Sequence, residues 1–368
     1  MMFPSNVYHS SVAEISKTAL LSNVQFLQKQ CPPQTKLLPM IKTNAYGHGM
    51  HIVSQMLAHI PIAGFGVANI AEAMELRNRG IRHPILSFGR INASIVEMAK
   101  HHQITVVLHH IEDIKLLAAN PYPCDFHLEL ETGMNRLGLT EHDLDNQLKN
   151  LKALSSHFKG LFSHFSESEN TDGTFTQNQM QNFKTITKKI QNIVPHKLIQ
   201  HISNSGSILL HPEFGLDWVR PGIALYGFDP SGHINSSLQP VLSWKAPIIQ
   251  IKKIQKGDAV GYGRAFIAPQ SMTIATIPVG YGDGFLRLYK EVGVGYRQHR
   301  VKIIGNICMD MMMIDISHIQ SPQLHDEVYI LGPGYHGEAT ADEFSKVDQT
   351  ISYEVLSRIS SRVLRIES

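Results

Sequence analysis

Lys42 follows the apolar run Leu37-Leu38-Pro39-Met40-Ile41 without a spacer and opens the stretch KTNAYGHG at 42–49. A lysine ending a buried strand loses hydration. Desolvation lowers an ammonium pKa from about 10.4, so the neutral amine becomes available as a nucleophile. On this stretch alone, a surface lysine beginning a loop is the alternative. The same arrangement, a chemically capable residue just past an apolar run, recurs along the chain. Tyr46 follows Lys42, Arg136 lies in ETGMNRLG, His164 closes GLFSH, Asn204 and Ser205 follow IQHIS, and Arg220 and Gly222 lie in VRPGIALYG. An amine, two arginines and several hydrogen-bond donors suit an anionic ligand.

These residues need elements to bring them together. From Ala13 to about residue 227 short apolar β-type runs alternate with helical patterns, the signature of β/α units around a parallel sheet. Candidate strands are LLPMI at 37, GFGVA at 64, PILSF at 84, TVVL at 105, FHLELE at 126, GLFSH at 160, IQHIS at 199 and VRPGIALYG at 219. Eight strands at these intervals favour a (β/α)8 TIM-like barrel over an open doubly wound sheet. A further helix is expected over about 13–30. After the turn-rich PSGHINSS at 230–237 the pattern changes to longer β-type runs without helices between them, including SWKAPIIQIKKI, MTIATIPVG, VKIIGNICMDMMMIDI and DEVYILG, with a short helix near YEVLSRISSRV. The expected domains are a barrel at 11–235 and a β-rich C-terminal domain at 236–368, which residues 1–10 join. In such a barrel the site lies at the C-terminal strand ends, and the loops after strands seven and eight form a phosphate site. SNSGS at 203–207 with Gly222 supplies hydroxyl and N–H groups there. A reactive lysine with a phosphate pocket suggests pyridoxal 5'-phosphate bound as a Schiff base.

Composition narrows the class. Lys and Arg number 33 against 31 Asp and Glu, a net charge of +2 with the positive residues scattered, so nucleic acid is not suggested. Three cysteines at wide spacing (Cys31, Cys124, Cys308) argue against a disulfide framework and for a reducing compartment, the cytoplasm. The first residues do not read as a secretory signal, and no apolar run reaches membrane-spanning length. The 21 histidines are dispersed and form no H-E-x-x-H, so no metal site is expected.

Taken together, these motifs resemble the alanine racemases, fold-type III pyridoxal-phosphate enzymes with a barrel and a β-rich domain. The likeness covers nearly the full length. KTNAYGHG resembles the family's cofactor-lysine motif, with Thr43 where alanine is usual. The resemblance implies that Lys42 carries the cofactor, Tyr46 reaches its phosphate, Arg136 lies near the substrate carboxylate, and His164 lies against the pyridine ring. HISNS supplies His201, Asn204 and Ser205. Arg220 would partner the pyridine nitrogen, with Gly222 and Ile223 at the phosphate. A permanently charged guanidinium disfavours ring protonation and weakens the electron sink. In the second domain, VGYGRAF supplies Tyr262 as second base, PVGYGDGF places Tyr281 at the entrance, ICMD puts Met309 and Asp310 near substrate, and SYEV puts Tyr353 on the phosphate. Arg287 and Glu169 join the entrance. Singly, these are ordinary motifs: a Y-G-D-G is usually a tight turn and a lone strand tyrosine usually packs. Their ordered co-occurrence carries the likeness.

What the resemblance implies is a two-base interconversion of L-alanine and D-alanine in a homodimer with head-to-tail shared sites, supplying D-alanine for peptidoglycan. Lys42 would serve the D-alanine face and Tyr262 of the partner subunit the L-alanine face. Two departures stand out. Glu129 lies where many members have a carbamylated lysine, and is expected to act as a built-in orienting anion for Arg136. Asn306 lies where arginine is frequent. Competing readings are a racemase of broader small-amino-acid range such as serine, a decarboxylase, which Arg220 argues against, and a cofactor carrier, which would lack the second domain and Tyr262.

Overall fold

The structure is a computed structural model that describes residues 11–232 and 237–368. The described chain divides into two compact units. One comprises Leu20–Ala45, 53–232 and 237–238, and the other comprises 11–19, Tyr46–Ile52 and Gln239–Ser368.

The first unit is built on eight parallel strands: Lys36–Leu37, Phe65–Val67, Ile85–Ser87, Thr105–Leu108, Phe126–Glu129, Phe158–Phe162, Ile199–His201 and Trp218–Val219. Each of the eight candidate runs contains or touches one of these strands, but LLPMI contributes only Leu37 and VRPGIALYG only Val219, with Ile223–Tyr226 of the latter forming a short 3-10 helix instead. The sheet pairs each with its chain neighbour and joins the first to the last, Leu37 opposite Val219. It closes between the first and second strands through Ala63 N to Leu37 O (2.8 Å), Gly66 N to Pro39 O (2.9 Å) and Ile41 N to Gly66 O (2.9 Å). Helices cover the outer face, which is why strands such as Phe65–Val67, Ile85–Ser87 and Phe126–Glu129 are buried at every position rather than at alternate ones. Leu38, Ala63, Leu86, Val107 and Phe162 pack together between the strands. The long helix Thr174–Gln191 buries Thr176, Gln179, Met180, Phe183, Ile186, Thr187 and Ile190, a three-and-four spacing that gives one continuous inward face.

The helix expected over about 13–30 begins instead at Lys17. Residues Val12–Ile15 form a strand, because VAEI alternates half-buried with buried positions at period two. That strand lies in the second unit, antiparallel to Leu242–Pro247 and parallel to Leu364–Glu367. The six-stranded sheet runs His299–Val301, Val294–Tyr296, Glu327–Leu331, Leu242–Pro247, Val12–Ile15, Leu364–Glu367. A four-stranded sheet orders Gln250–Ile254, Met272–Ile277, Met312–Asp315 and Ile303–Ile304. The run SWKAPIIQIKKI thus serves both sheets, and VKIIGNICMDMMMIDI is two strands around a turn at GNICMD. The short helix expected near YEVLSRISSRV is Ser352–Ser357. Among the described residues no helix is long and apolar enough to cross a membrane, and no cluster of side chains is arranged to hold a metal. The three cysteines are free, and burial pushes the thiols of Cys31 and Cys124 up to about 11.

Candidate active site

Lys42 lies five residues past the first barrel strand, just after the isolated bridge of Met40 to Gly66, and starts an unusual piece of backbone. Thr43, Asn44 and Ala45 have φ of 54°, 52° and 54° with ψ of 53°, 45° and 51°, and Tyr46 has φ of 53°. This is a left-handed helical turn of non-glycine residues, which costs roughly 1–2 kcal/mol per residue. Its start is held by Glu72, whose carboxylate accepts from Thr43 N (2.7 Å) and from Ala68 N at the end of the second strand (2.7 Å). Glu72 is placed there by Asn69, which caps the helix Ile70–Asn78 and accepts from Glu72 N. Burial, with Arg136 and Arg220 nearby, lowers the Lys42 ammonium below its ordinary value, while Glu72 opposes the shift. The amine is poised toward its neutral, nucleophilic form.

Arg220, just past the eighth strand, is only 3 % exposed and is held without a carboxylate in contact. Its Nη1 donates to His201 Nδ1 (2.7 Å), and its Nη2 to Ser163 O (2.7 Å), His164 Nδ1 (2.9 Å) and Ile202 O (3.0 Å). A guanidinium has only donors, so His201 and His164 must each present a lone pair at Nδ1. His201 therefore carries its proton on Nε2 and gives it to His127 Nδ1 (2.8 Å). Burial first, then the Arg220 charge, holds all three rings neutral: His127 falls to about 3, and His164 and His201 fall well below the ordinary value. The ordering is self-consistent. A fixed cation orients two neutral imidazoles, and the rest of its fork is free to face a ligand, since Arg220 Nε donates to no acceptor among the described residues.

The loops after strands seven and eight meet at Ser205, whose Oγ accepts from Gly222 N (2.9 Å) and Ala224 N (3.2 Å). Asn204 caps the short helix Ser205–Leu210, accepting from Ser207 N (3.1 Å) and Ser168 Oγ (2.5 Å) and donating to Phe165 O (3.3 Å). Asn204 thus ties these loops together. The buried Gly206 and Ile223 amides donate to no protein acceptor among the described residues. Buried N–H groups without partners are rare, and two beside a serine hydroxyl form a donor set matched to phosphate oxygens.

Arg136 is exposed, within electrostatic reach of Lys42, His164 and Arg220. The orienting anion expected from Glu129 is engaged elsewhere: its Oε2 meets His109 Nδ1, and no ion pair joins Glu129 to Arg136 among the described residues. Strand register explains this. Leu108 pairs with Leu128, so the next residues, His109 and Glu129, emerge side by side from neighbouring strands. His109 Nε2 donates to Phe88 O (2.8 Å), so the Nδ1–Oε2 contact holds one proton shared by the pair. Sequence reasoning missed His109, as it missed Glu72 and Gln179. Gln179, from the long helix, bonds His164 O (3.0 Å) and Ser166 N (3.0 Å) and fixes the loop carrying His164. Glu169 is exposed on the same loop.

The remaining expected residues lie in the second unit. Tyr46 is buried, burial raises its phenol pKa, and its ring lies 5.9 Å from that of Tyr353. Tyr262 follows Gly261 (φ 74°) in a tight turn and is 75 % exposed, with its carbonyl held by Asn306 Nδ2 (2.9 Å). The departure at Asn306 thus has a local purpose. Tyr281 N bonds Cys308 O (3.1 Å) and Gly282 N bonds Met309 O (2.8 Å), which brings Tyr281 beside the exposed Met309. The approach requires glycine at 280, where a Cβ would lie 2.2 Å from Cys308 O. Asp310 pairs with Arg362 (2.7 Å), and Arg287 is exposed.

Comparison with known proteins gives a uniform result. Residues 15–230 match the family described as alanine racemase, N-terminal domain, and 241–367 match alanine racemase, C-terminal domain. The chain is 34% identical over 365 residues to an alanine racemase of Clostridium tetani (strain Massachusetts / E88), covering 96% of this chain and 94% of that protein. It is similar in structure to the alanine racemase of Bacillus anthracis with bound L-Ala-P, with a TM-score of 0.91 and 26% identity over 99% of this chain and 96% of that one. An alanine racemase from Bartonella henselae with covalently bound pyridoxal phosphate superposes with a TM-score of 0.84 and 28% identity over 97% and 99% of the two chains.

Proposed function

The chain belongs to the alanine racemase family, and from that premise we propose that it interconverts L-alanine and D-alanine with pyridoxal 5'-phosphate held on Lys42. The observation that carries the reading is the barrel mouth: an amine with a lowered pKa, a buried arginine with a free N–H, and partnerless amides beside Ser205. The donor set fits the cofactor. Gly222, Ile223, Ser205 and Asn204 would hold its phosphate, His164 would lie against its ring, and Arg220 would meet its ring nitrogen. When bound, pyridoxal phosphate makes the substrate Cα–H acidic by delocalising the electron pair left behind.

The residues of this chain do the rest. Arg136 binds the substrate carboxylate, and Met309 and Asp310 bound the substrate. Lys42 takes or returns the Cα proton on one face, and Tyr262 of the partner subunit does so on the other. Each positioned base contributes about 10²–10⁴ in rate. Tyr281, Arg287 and Glu169 shape the entrance. The shared site implies a homodimer.

The test is a chiral assay of L-alanine with purified protein and pyridoxal phosphate. D-alanine should accumulate until the two forms are nearly equal, and unchanged alanine in a protein that binds cofactor would overturn the substrate assignment. Lys42→Ala and Tyr262→Phe chains, each inactive alone, should regain activity when mixed. Inactive verified heterodimers would place both bases in one chain.

A further inference from the structure

The left-handed turn that begins at Lys42 needs anchoring at both ends, because of Thr43, Asn44 and Ala45 only Asn44 tolerates that conformation readily, and then as a single residue. Glu72 anchors the start. At the far end the chain passes into Gly47 (φ 85°), where a Cβ would lie 2.1 Å from Leu356 O. The Gly47 carbonyl accepts from Arg365 Nε (2.9 Å). The same guanidinium gives its other donors to Ser360 O (2.5 Å), Val363 O (2.6 Å) and Ile359 O (2.7 Å). Arg365 thus binds four backbone carbonyls. Burial is the sole influence that shifts it, lowering it to about 10, with no carboxylate compensating the charge. A half-buried cation that collects only backbone carbonyls is an uncommon use of arginine, whose planar fork can address several acceptors in one plane. Its backbone is fixed too, since Arg365 pairs with Ala13 in the six-stranded sheet.

We propose that Arg365 is a positioning residue for the lysine-bearing loop: the last strand of the chain, through this guanidinium, holds Gly47 and so fixes the C-terminal root of the turn that presents Lys42. The proposal rests on the reading that Lys42 carries the cofactor. It extends the site to a strand that contributes no group to the chemistry. Gly49 (φ 94°), whose Cβ would lie 3.3 Å from Arg365 Cβ, makes room for the side chain.

The experiment compares wild type with Arg365→Lys, which keeps the charge but offers a single nitrogen to carbonyls spread around the fork. Hydrogen exchange of amides 46–52, measured on cofactor-free protein, should accelerate at least tenfold in the variant while the barrel strands keep their protection. The dissociation constant for pyridoxal phosphate should rise about tenfold, and kcat should fall more than KM rises. Unchanged exchange at 46–52 and unchanged cofactor affinity, with only a lower Tm, would overturn the proposal and leave Arg365 a general stabiliser. Should the variant not fold, wild type alone decides: amides 46–52 should open together with those of 364–367, and loop exchange a hundredfold faster than the strand's would refute the clamp. Because exchange is read without cofactor, a protein that failed to bind pyridoxal phosphate would refute the functional reading and leave this test standing.

Discussion

Arg220→Lys is the perturbation that most directly tests how the site is held. Arg220 reaches four acceptors from two nitrogens: His201 Nδ1 from Nη1, and Ser163 O, His164 Nδ1 and Ile202 O from Nη2. A lysine nitrogen occupying the Nη2 position keeps the last three and abandons His201. Since His201 is fully buried, its Nδ1 lone pair then has no donor. Leaving a buried polar atom unpaired costs about 1–3 kcal/mol. His201 can escape by moving its proton to Nδ1, but its Nε2 lone pair would then face the Nδ1 lone pair of His127, forcing a second tautomer change in a ring that is equally buried. Either way the loss is about 2 kcal/mol, which for a unit of this size lowers Tm by about 4–8 °C. The assay is thermal unfolding of cofactor-free protein, paired with nitrogen NMR of the histidines, which reports tautomers directly. A Tm within 1 °C of wild type, with His201 still protonated at Nε2, would refute the argument that the guanidinium orders the pair.

The same histidines set a pH dependence. Their folded pKa values lie below 6.5, so the unfolded chain binds more protons as pH falls: stability is full above 6.5 and is lost from there down toward the folded values, about 3 for His127. At pH 5 His127 alone contributes a loss of about 2 kcal/mol, and urea unfolding at pH 5, 6 and 7 should show a slope that His127→Asn reduces by about one proton. Gly280→Ala should destabilise by about 1–3 kcal/mol in denaturant unfolding, because its Cβ would lie 2.2 Å from Cys308 O and 2.4 Å from Met309 O. Glu129→Gln should leave His109 with only its Nε2 proton, visible by NMR, because the amide then donates to Nδ1. Activity of the wild type should not respond to added bicarbonate, because a glutamate at 129 has no amine to carbamylate; a rise would show that an external anion acts beside Arg136.

How much of this could be read in the sequence depends on the range over which each interaction acts. Barrel strands announce themselves locally, because a strand covered on both faces must be apolar throughout, and TVVL or PILSF can hardly be anything else. Residues at their C-terminal ends were legible for the same reason: a polar group immediately after such a run has few places to go but the barrel mouth. Val12–Ile15 was hidden by the helical pattern that follows it, since four residues at period two are a weak signal, and its partners Leu242–Pro247 and Leu364–Glu367 lie more than 200 residues away.

Glu129 illustrates the limit more sharply. Its position after FHL marked it as a residue of the mouth, and Coulomb attraction to a nearby arginine was a sound expectation from charge alone. The competing partner, His109, stands 20 residues earlier, and nothing local marks it, since histidine pairs are scattered through the chain. Only the parallel register, Leu108 opposite Leu128, makes the two neighbours. Register is a property of two strands together, so the sequence of either one does not contain it. Arg365 is the same case carried further. It lies in a half-exposed strand whose charge reads as solvent-facing, yet its guanidinium finds carbonyls at Gly47 and 359–363 because backbone acceptors have no sequence signature at all. Side chains that act on ligands can therefore be nominated from their types and places, whereas those that hold the backbone of a site in an unfavourable conformation emerge only once that backbone is seen.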